Sequence, residues 1–409
     1  MNLKAEIKKS LIAALWFMFL TLPILVVRVD TIERTVAWRW ERLVWIGAAS
    51  FLLSFIWRRL LHRKQTGRRD AQAGAVRPSS RWKQMAADPR LKRPALSAAA
   101  FFFLAVPLLF SWNKTILVTN ALIYVVIALG LNIVVGLAGQ LVLGYVAFFA
   151  VGAYGYALLN YHFAVGFWAA LPMGAALAAG FGLLLGFPVL RLRGDYLAIV
   201  TLGFGEIVRI VLENWNALSF GPSGIDNIPP PGFFGLRLTL QQTHIAIYYL
   251  MFALTLLTIL VVHRLQHSRI GRSWEALRED ETAAQAMGID TTRAKLSAFA
   301  LGACWAGMAG VVFAAKQKFI NPGNFTIWES ILVLCIVVLG GMGSITGVVL
   351  AALVLVILPE ALRVFADYRW LLFGALLVLM MVFRPGGLVN ARRRAYAFEP
   401  SESEKAERP

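Results

Sequence analysis

The stretch RLRGDYLAIVTLGFGEIVRIVLENW, residues 191–215, decides what kind of protein this is. Two arginines and a Gly-Asp-Tyr turn open it, and an apolar run follows as far as Glu206. Glu206 and Arg209 then stand inside a segment otherwise fit for a membrane. An ionised side chain at the centre of a membrane helix costs about 2.5–3.5 kcal/mol on insertion scales. At i, i+3 the two residues share one helix face, offset each other and look toward protein or water rather than lipid. This face is either a structural ion pair holding two helices together or the lining of a polar passage. Both readings require a membrane protein.

The composition supplies one. Of 409 residues, 59% are hydrophobic and 15% charged, with a mean hydropathy of +0.67. A soluble domain of this length could not hide that much apolar surface, so lipid must act as solvent for most of it. The net charge of +18 would suit nucleic acid. However, the basic residues cluster between and beside the apolar runs, as the positive-inside bias requires, and nucleic-acid binding is set aside. Cys304 and Cys335 lie in apolar runs, give no disulfide framework or metal spacing, and read as buried small residues.

Outward from 191–215, the apolar runs 95–110, 115–137, 141–159 and 166–190 precede the opening stretch, whose own span is 195–213. Arg191 and Arg193 mark a return to the cytoplasm. Residues 214–243 hold one basic residue, Arg237, and the Pro/Gly-rich GPSGIDNIPPPGFFG, which predicts an external, stiff, turn-rich loop. The run 244–262 returns inward to a loop, 263–295, with six Lys or Arg. Runs 296–315, 329–339, 345–358 and 370–383 complete a ten-span core over 95–384, before a cytoplasmic tail at 385–409. Upstream, residues 1–57 carry two further candidate spans, 11–27 and 43–57, around a WRWERLVW interface belt. The first follows Lys4, Lys8 and Lys9 like a signal peptide, but is long, lacks a small-x-small cleavage site, and is read as retained. Residues 58–94, with twelve Lys or Arg against two Asp, form a basic cytoplasmic linker. The expected fold is an all-α polytopic membrane protein with both termini cytoplasmic.

Small residues mark close helix packing: Gly182 and Gly186 form a GxxxG, and Gly302, Gly307 and Gly310 lie along one later span. Two glycine breaks, GLAGQLVLG (136–144) and GGMGSITG (340–347), resemble each other. Paired interruptions in two halves of a transporter point to its binding region, and tight turns explain them equally well. GGMGS lacks the following Lys-Ser/Thr of a P-loop, and GFGEIV lacks the third glycine of a dinucleotide turn. His263 and His267 are at i, i+4 without a third ligand and read as interface residues. No Ser/His/Asp or HExxH arrangement appears, so the chain is not read as an enzyme.

GRSWEALREDETAAQAMGID, residues 271–290, predicts a short amphipathic helix with Trp274 and Leu277 on one face, then a second piece rich in small residues. Such a pair suits a groove in a partner protein. Together with FPVLRLRGDYLAIVTLGFGEIVRIVLEN, GPSGI and LGGMGSITG, this loop resembles the LivM-type permeases, membrane subunits of branched-chain amino acid ABC importers. The resemblance covers nearly the whole chain. It implies a ten-helix importer core with two extra N-terminal helices in a bacterial inner membrane. A second, related permease, two cytoplasmic ATPases that bind the ATP, and a periplasmic binding protein would complete the complex. This chain itself would carry no cofactor or metal. The coupling segment would be 271–288, with Trp274, Leu277, Glu281, Ala283, Ala284 and Gly288. Thr282 stands where the family's coupling glutamate would, one residue after Glu281. On this reading the pathway residues are Asp195, Tyr196, Thr201, Glu206 and Arg209, and loop 214–243 receives the binding protein. Two alternatives stay open: the same complex importing urea or short amides, and a secondary transporter working alone.

Overall fold

The computed structural model describes residues 101–189, 192, 194–232, 239–361 and 386–389, with residues 11, 18, 27–30, 35–38 and seven positions between 371 and 382. By contact the chain divides into two compact units, 1–97 and 98–409. In the first, Leu11 and Met18 are helical. An antiparallel hairpin pairs β1 (Val27–Asp30) with β2 (Thr35–Trp38), Val27 opposite Trp38. This departs from the all-α expectation and removes Val27 from the first expected span. The reason is readable in VRVD and TVAW, where β-branched residues and tryptophan alternate with polar or small ones at the period of a strand. The span at 43–57, the linker 58–94 and the tail from 390 lie outside the described residues.

The second unit is helical. Residues 101–109 form a helix, followed by α1 (Trp112–Leu131), which runs directly into a π-helical turn, Asn132–Leu137. After α2 (Val146–Phe163) and α3 (Phe167–Val189) comes α4 (Asp195–Asn214), the opening stretch, as one unbroken helix. α5 (Leu240–Gln266) starts at Thr239, which with Gln242 forms a capping box. Two short helices, α6 (Arg269–Glu279) and α7 (Glu281–Ala286), lead to α8 (Thr291–Gln317). Ser268, Asp280 and Asp290 cap these three by accepting backbone N–H bonds, so three sequential helices start at side chains suited to start them. α9 (Ile327–Gly340) and α10 (Ile345–Ala361) follow.

Five helical segments among the described residues are long and apolar enough to cross a membrane: Trp112–Leu137, Phe167–Pro188, Leu240–Gln266, Thr291–Gln317 and Pro322–Gly340. This is a multi-pass membrane architecture. α8 is its central post and packs against α1, α2 and α3. Contact is close because glycines face one another. A Cβ on Gly152 would lie 2.2 Å from the Gly307 carbonyl oxygen, and one on Gly310 would lie 2.2 Å from that of Phe149. Gly182 and Gly186, the GxxxG of α3, meet Ala303 and Leu296 of the same post. In lipid, such approach replaces the hydrophobic drive that holds soluble helices together.

One boundary moves. The run at 141–159 was expected to be helical from residue 141, but residues 138–145 are non-helical and α2 begins at Val146. The apolar residues Leu141, Val142 and Leu143 gave no warning. Gly144 explains the change, since a Cβ there would sit 1.8 Å from the Thr201 carbonyl oxygen on α4. The segment is mostly buried, where non-helical backbone is tolerated at membrane depth.

Candidate transport and coupling sites

The two glycine breaks meet. The N–H of Gly343 donates to Asn132 Oδ1 at 2.9 Å, and a Cβ on Gly136 would lie 2.5 Å from Gly343 N. Asn132 is fully buried in the π-helical turn. A π-helix displaces the backbone from the regular α ladder, which is why such turns collect at functional sites. Here the Gly136 carbonyl accepts a 2.6 Å bond from Arg278 Nη1 of α6. Gln266 Nε2, at the end of α5, donates to the Gly343 carbonyl at 3.3 Å. Gly139, at φ +73°, turns beneath Arg278, where a Cβ would meet the arginine's own carbons at 2.8 Å. The α6 arm is thus bonded to one break and, through Asn132, reaches the other.

The arm itself has two faces. Trp274 is wholly buried, with Nε1 donating to the Ala294 carbonyl at 2.9 Å and to Ser297 Oγ at 3.1 Å, and Leu277 is buried beside it. Both residues therefore grip their own bundle. Glu281 pairs with the buried Lys295 at 2.7 Å, tying α7 to α8, and Ala284 also turns inward. Ala283, Met287 and Gly288 face out, Met287 with 82% of its surface exposed. Gly288 has φ +81° and nothing near its Cβ position.

On α4, the Glu206–Arg209 pair is bonded within the helix at 2.5–2.8 Å, and Arg209 also bonds Glu213 at 2.6 Å. The clamp between two helices considered from the sequence is therefore replaced by a triad on one helix, with its side chains partly exposed. Asp195 lies in the first turn and is exposed, as is Tyr196. Thr201 is fully buried, accepts from Leu143 N at 3.1 Å, and so pins the non-helical segment to α4.

Three residues after Leu143, the N–H of Val146 donates to Ser330 Oγ on α9 at 3.1 Å. Beside that bond lies a cavity of about 200 Å³ between α1, α2, α8, α9 and the turn Pro322–Asn324. Tyr124 Oη donates to Glu329 Oε2 at 2.5 Å on its wall, and Lys316 donates to Asn120 Oδ1. At the end of the bundle opposite α6–α7, the described part of loop 214–243 is sewn down. Ile225 and Ile320 exchange two backbone bonds, Ile228 N bonds the Lys318 carbonyl, and Tyr156 Oη donates to the Pro229 carbonyl. Sequence reasoning missed Asn132, Arg278, Lys316 and Glu329. A polar residue inside an apolar run was the available signal for Asn132 and for the lysine closing α8.

A family model described as branched-chain amino acid transport system / permease component matches residues 114–383. The chain belongs to this permease family. It is 47% identical to the high-affinity branched-chain amino acid transport system permease protein LivM of Escherichia coli over 330 residues, 75% of this chain and 78% of that one. Against LivM of Salmonella typhimurium it is 47% identical over 318 residues, 73% and 75% of the two chains. It also resembles the E. coli permease LivH, 31% identical over 160 residues, 38% of this chain and 50% of that one. No solved structure matches. Permeases of this family are transport components.

Proposed function

We propose that this permease is the transmembrane subunit of an ATP-driven importer of leucine, isoleucine and valine and forms half of its translocation pathway. The observation that carries the reading is the two-faced α6–α7 arm. Trp274 and Arg278 bond it to its own bundle, while Ala283, Met287 and Gly288 present a small, apolar outer face. A carrier working alone has no use for such a face; a partner ATPase has. The cargo follows from the names of the LivM relatives. The partners are a second permease of LivH type, two cytoplasmic ATPases that bind the ATP, and a periplasmic binding protein received at loop 214–243. The chain has a ten-helix core behind two N-terminal spans, sits in the bacterial inner membrane and keeps both termini in the cytoplasm. It holds no cofactor of its own.

When the ATPases close on ATP, the paired arms are drawn together. Arg278 passes that displacement to Gly136 and the adjoining break at Gly343, so the interrupted segments shift while the α8 post stays fixed. Asp195, Tyr196, Thr201, Glu206 and Arg209 place α4 along the passage shared with the second permease. Trp274, Leu277 and Glu281 hold the arm rigid, and Ala283, Ala284 and Gly288 shape its docking end. Reconstitution tests this reading: in proteoliposomes holding the whole complex, leucine entry requires ATP and loaded binding protein. Leucine entry by this chain alone under a proton or sodium gradient would contradict it.

A further inference from the structure

The cavity beside Ser330 has a composition that the transport reading does not yet use. Its walls mix two chemistries. Ile127, Val146 and Val333, from three different helices, are among its apolar lining residues. Tyr124, Glu329, Asn120 and Asn324 line it as well, with Tyr124 and Glu329 one turn from Ile127 and Val333 on the same two helices. Glu329 takes a hydrogen bond from Tyr124 on one carboxylate oxygen and makes no ion pair among the described residues. Lys316 is buried, with 6% of its surface exposed, and bonds the amide oxygen of Asn120. It too forms no ion pair among the described residues. Both residues lie in segments long and apolar enough to cross a membrane.

An anion and a cation held in an apolar bundle with only neutral partners are costly and usually mark a ligand or ion path. They would be expected to pair with each other or be replaced by apolar residues if their role were structural. A ligand bringing one charge of each sign offsets both. A volume of about 200 Å³ equals roughly six or seven waters and lies below the range of drug-sized pockets, which limits that ligand to something like a single amino acid. The non-helical segment that ends at Val146 supports the same place, since broken helices at membrane depth border the substrate in transporters.

We propose that this cavity holds the amino acid in transit as its zwitterion. Glu329 receives the ammonium through the carboxylate oxygen that Tyr124 leaves free. The amide N–H of Asn120 receives the carboxylate, and Lys316, bonded to the oxygen of that amide from behind the wall, supplies the positive charge. Ile127, Val146 and Val333 enclose the branched side chain. The proposal rests on the importer reading and adds a site within this chain, so that cargo is selected a second time after the binding protein releases it.

Two variants in the complete reconstituted complex test it, with uptake of leucine and valine measured from saturating loaded binding protein and counted per ATP hydrolysed. Val333→Phe fills the apolar wall and is expected to lower the leucine-to-valine ratio about tenfold or more, the discrimination available to one methylene in a pocket. Glu329→Gln keeps the shape and the Tyr124 bond and is expected to lower leucine transported per ATP by at least about tenfold. Unchanged ratio and yield in both variants would overturn the site, as would a uniform fall in uptake and hydrolysis with the ratio intact. A wild-type complex that moves neither amino acid would overturn the importer reading itself.

Discussion

Two groups of charged residues sit inside this apolar bundle and solve the same problem in opposite ways. On α4, Arg209 lies between Glu206 and Glu213 at i−3 and i+4, so each charge finds its partner on its own helix. Around the cavity, Lys316 and Glu329 come from different helices and each bonds a neutral group of α1, Asn120 or Tyr124. The first arrangement is bonded within one helix, with one carboxylate charge in excess, and partly open to its surroundings. The second has a buried lysine and a half-buried glutamate, neither with a counter-ion among the described residues. Charge paired on its own helix can serve as a wall; charge left without a counter-ion serves as a receptor.

The largest effect is expected outside both groups and sets the scale for them. Gly288→Trp places a bulky side chain at a left-handed position on the outer face of α7. Uptake and substrate-stimulated ATP hydrolysis should fall more than about a hundredfold, the scale of losing a buried interface anchor. Membrane insertion, followed by fractionation, should remain normal, and normal uptake in this variant would remove the docking role of the arm.

Lys316→Met separates the two charge groups most sharply. Replacing a buried charge by an apolar residue of similar length is often neutral or stabilising for the fold. The thermal midpoint of the purified complex should therefore hold or rise, while leucine uptake falls at least about 30-fold, the effect of about 2 kcal/mol at a buried charge contact. A lower midpoint with unchanged uptake would make Lys316 a structural residue and dissolve the contrast with α4.

Arg278 resembles Lys316 in bonding a neutral carbonyl, that of Gly136. Arg278→Gln removes a charge-assisted bond worth about 1.5–3 kcal/mol. Transport per ATP hydrolysed should fall about tenfold with all subunits still bound, because motor and pathway are loosened from each other. Equal losses of uptake and hydrolysis would place the effect in docking instead.

Arg209→Gln should show the smallest change. Partly exposed i,i+3 and i,i+4 pairs are worth about 0.2–1 kcal/mol, so uptake should change by no more than about fivefold. A loss as large as that for Lys316→Met would show that α4 binds cargo directly.

The contrast also explains what could be read in advance. The Glu206–Arg209 pair was visible because its members are three residues apart, although Glu213 was not read as the third member, and α6–α7 was visible because amphipathic spacing is local. Five spans among the described residues were legible from the lengths of the apolar runs. What stayed hidden depends on distant chain segments meeting: Asn132 with Gly343, Lys316 with Asn120, Tyr124 with Glu329. Trp274 shows a subtler limit. Its place on an apolar helix face was clear, but nothing local said whether that face met a partner protein or, as it does, the carbonyl of Ala294. The break at 136–144 was visible in its glycines, but that it holds Leu141–Leu143 out of the helix was hidden for the same reason, since Gly144 is shaped by α4.

The most direct test of the central claim is purification of the tagged full-length chain from membranes in mild detergent. Co-purifying subunits would be identified and ATP hydrolysis measured with and without leucine-loaded binding protein. The account predicts a second permease and ATPases bound to the chain, with hydrolysis stimulated by the loaded protein. A chain that purifies alone and moves leucine in liposomes under an ion gradient would contradict it.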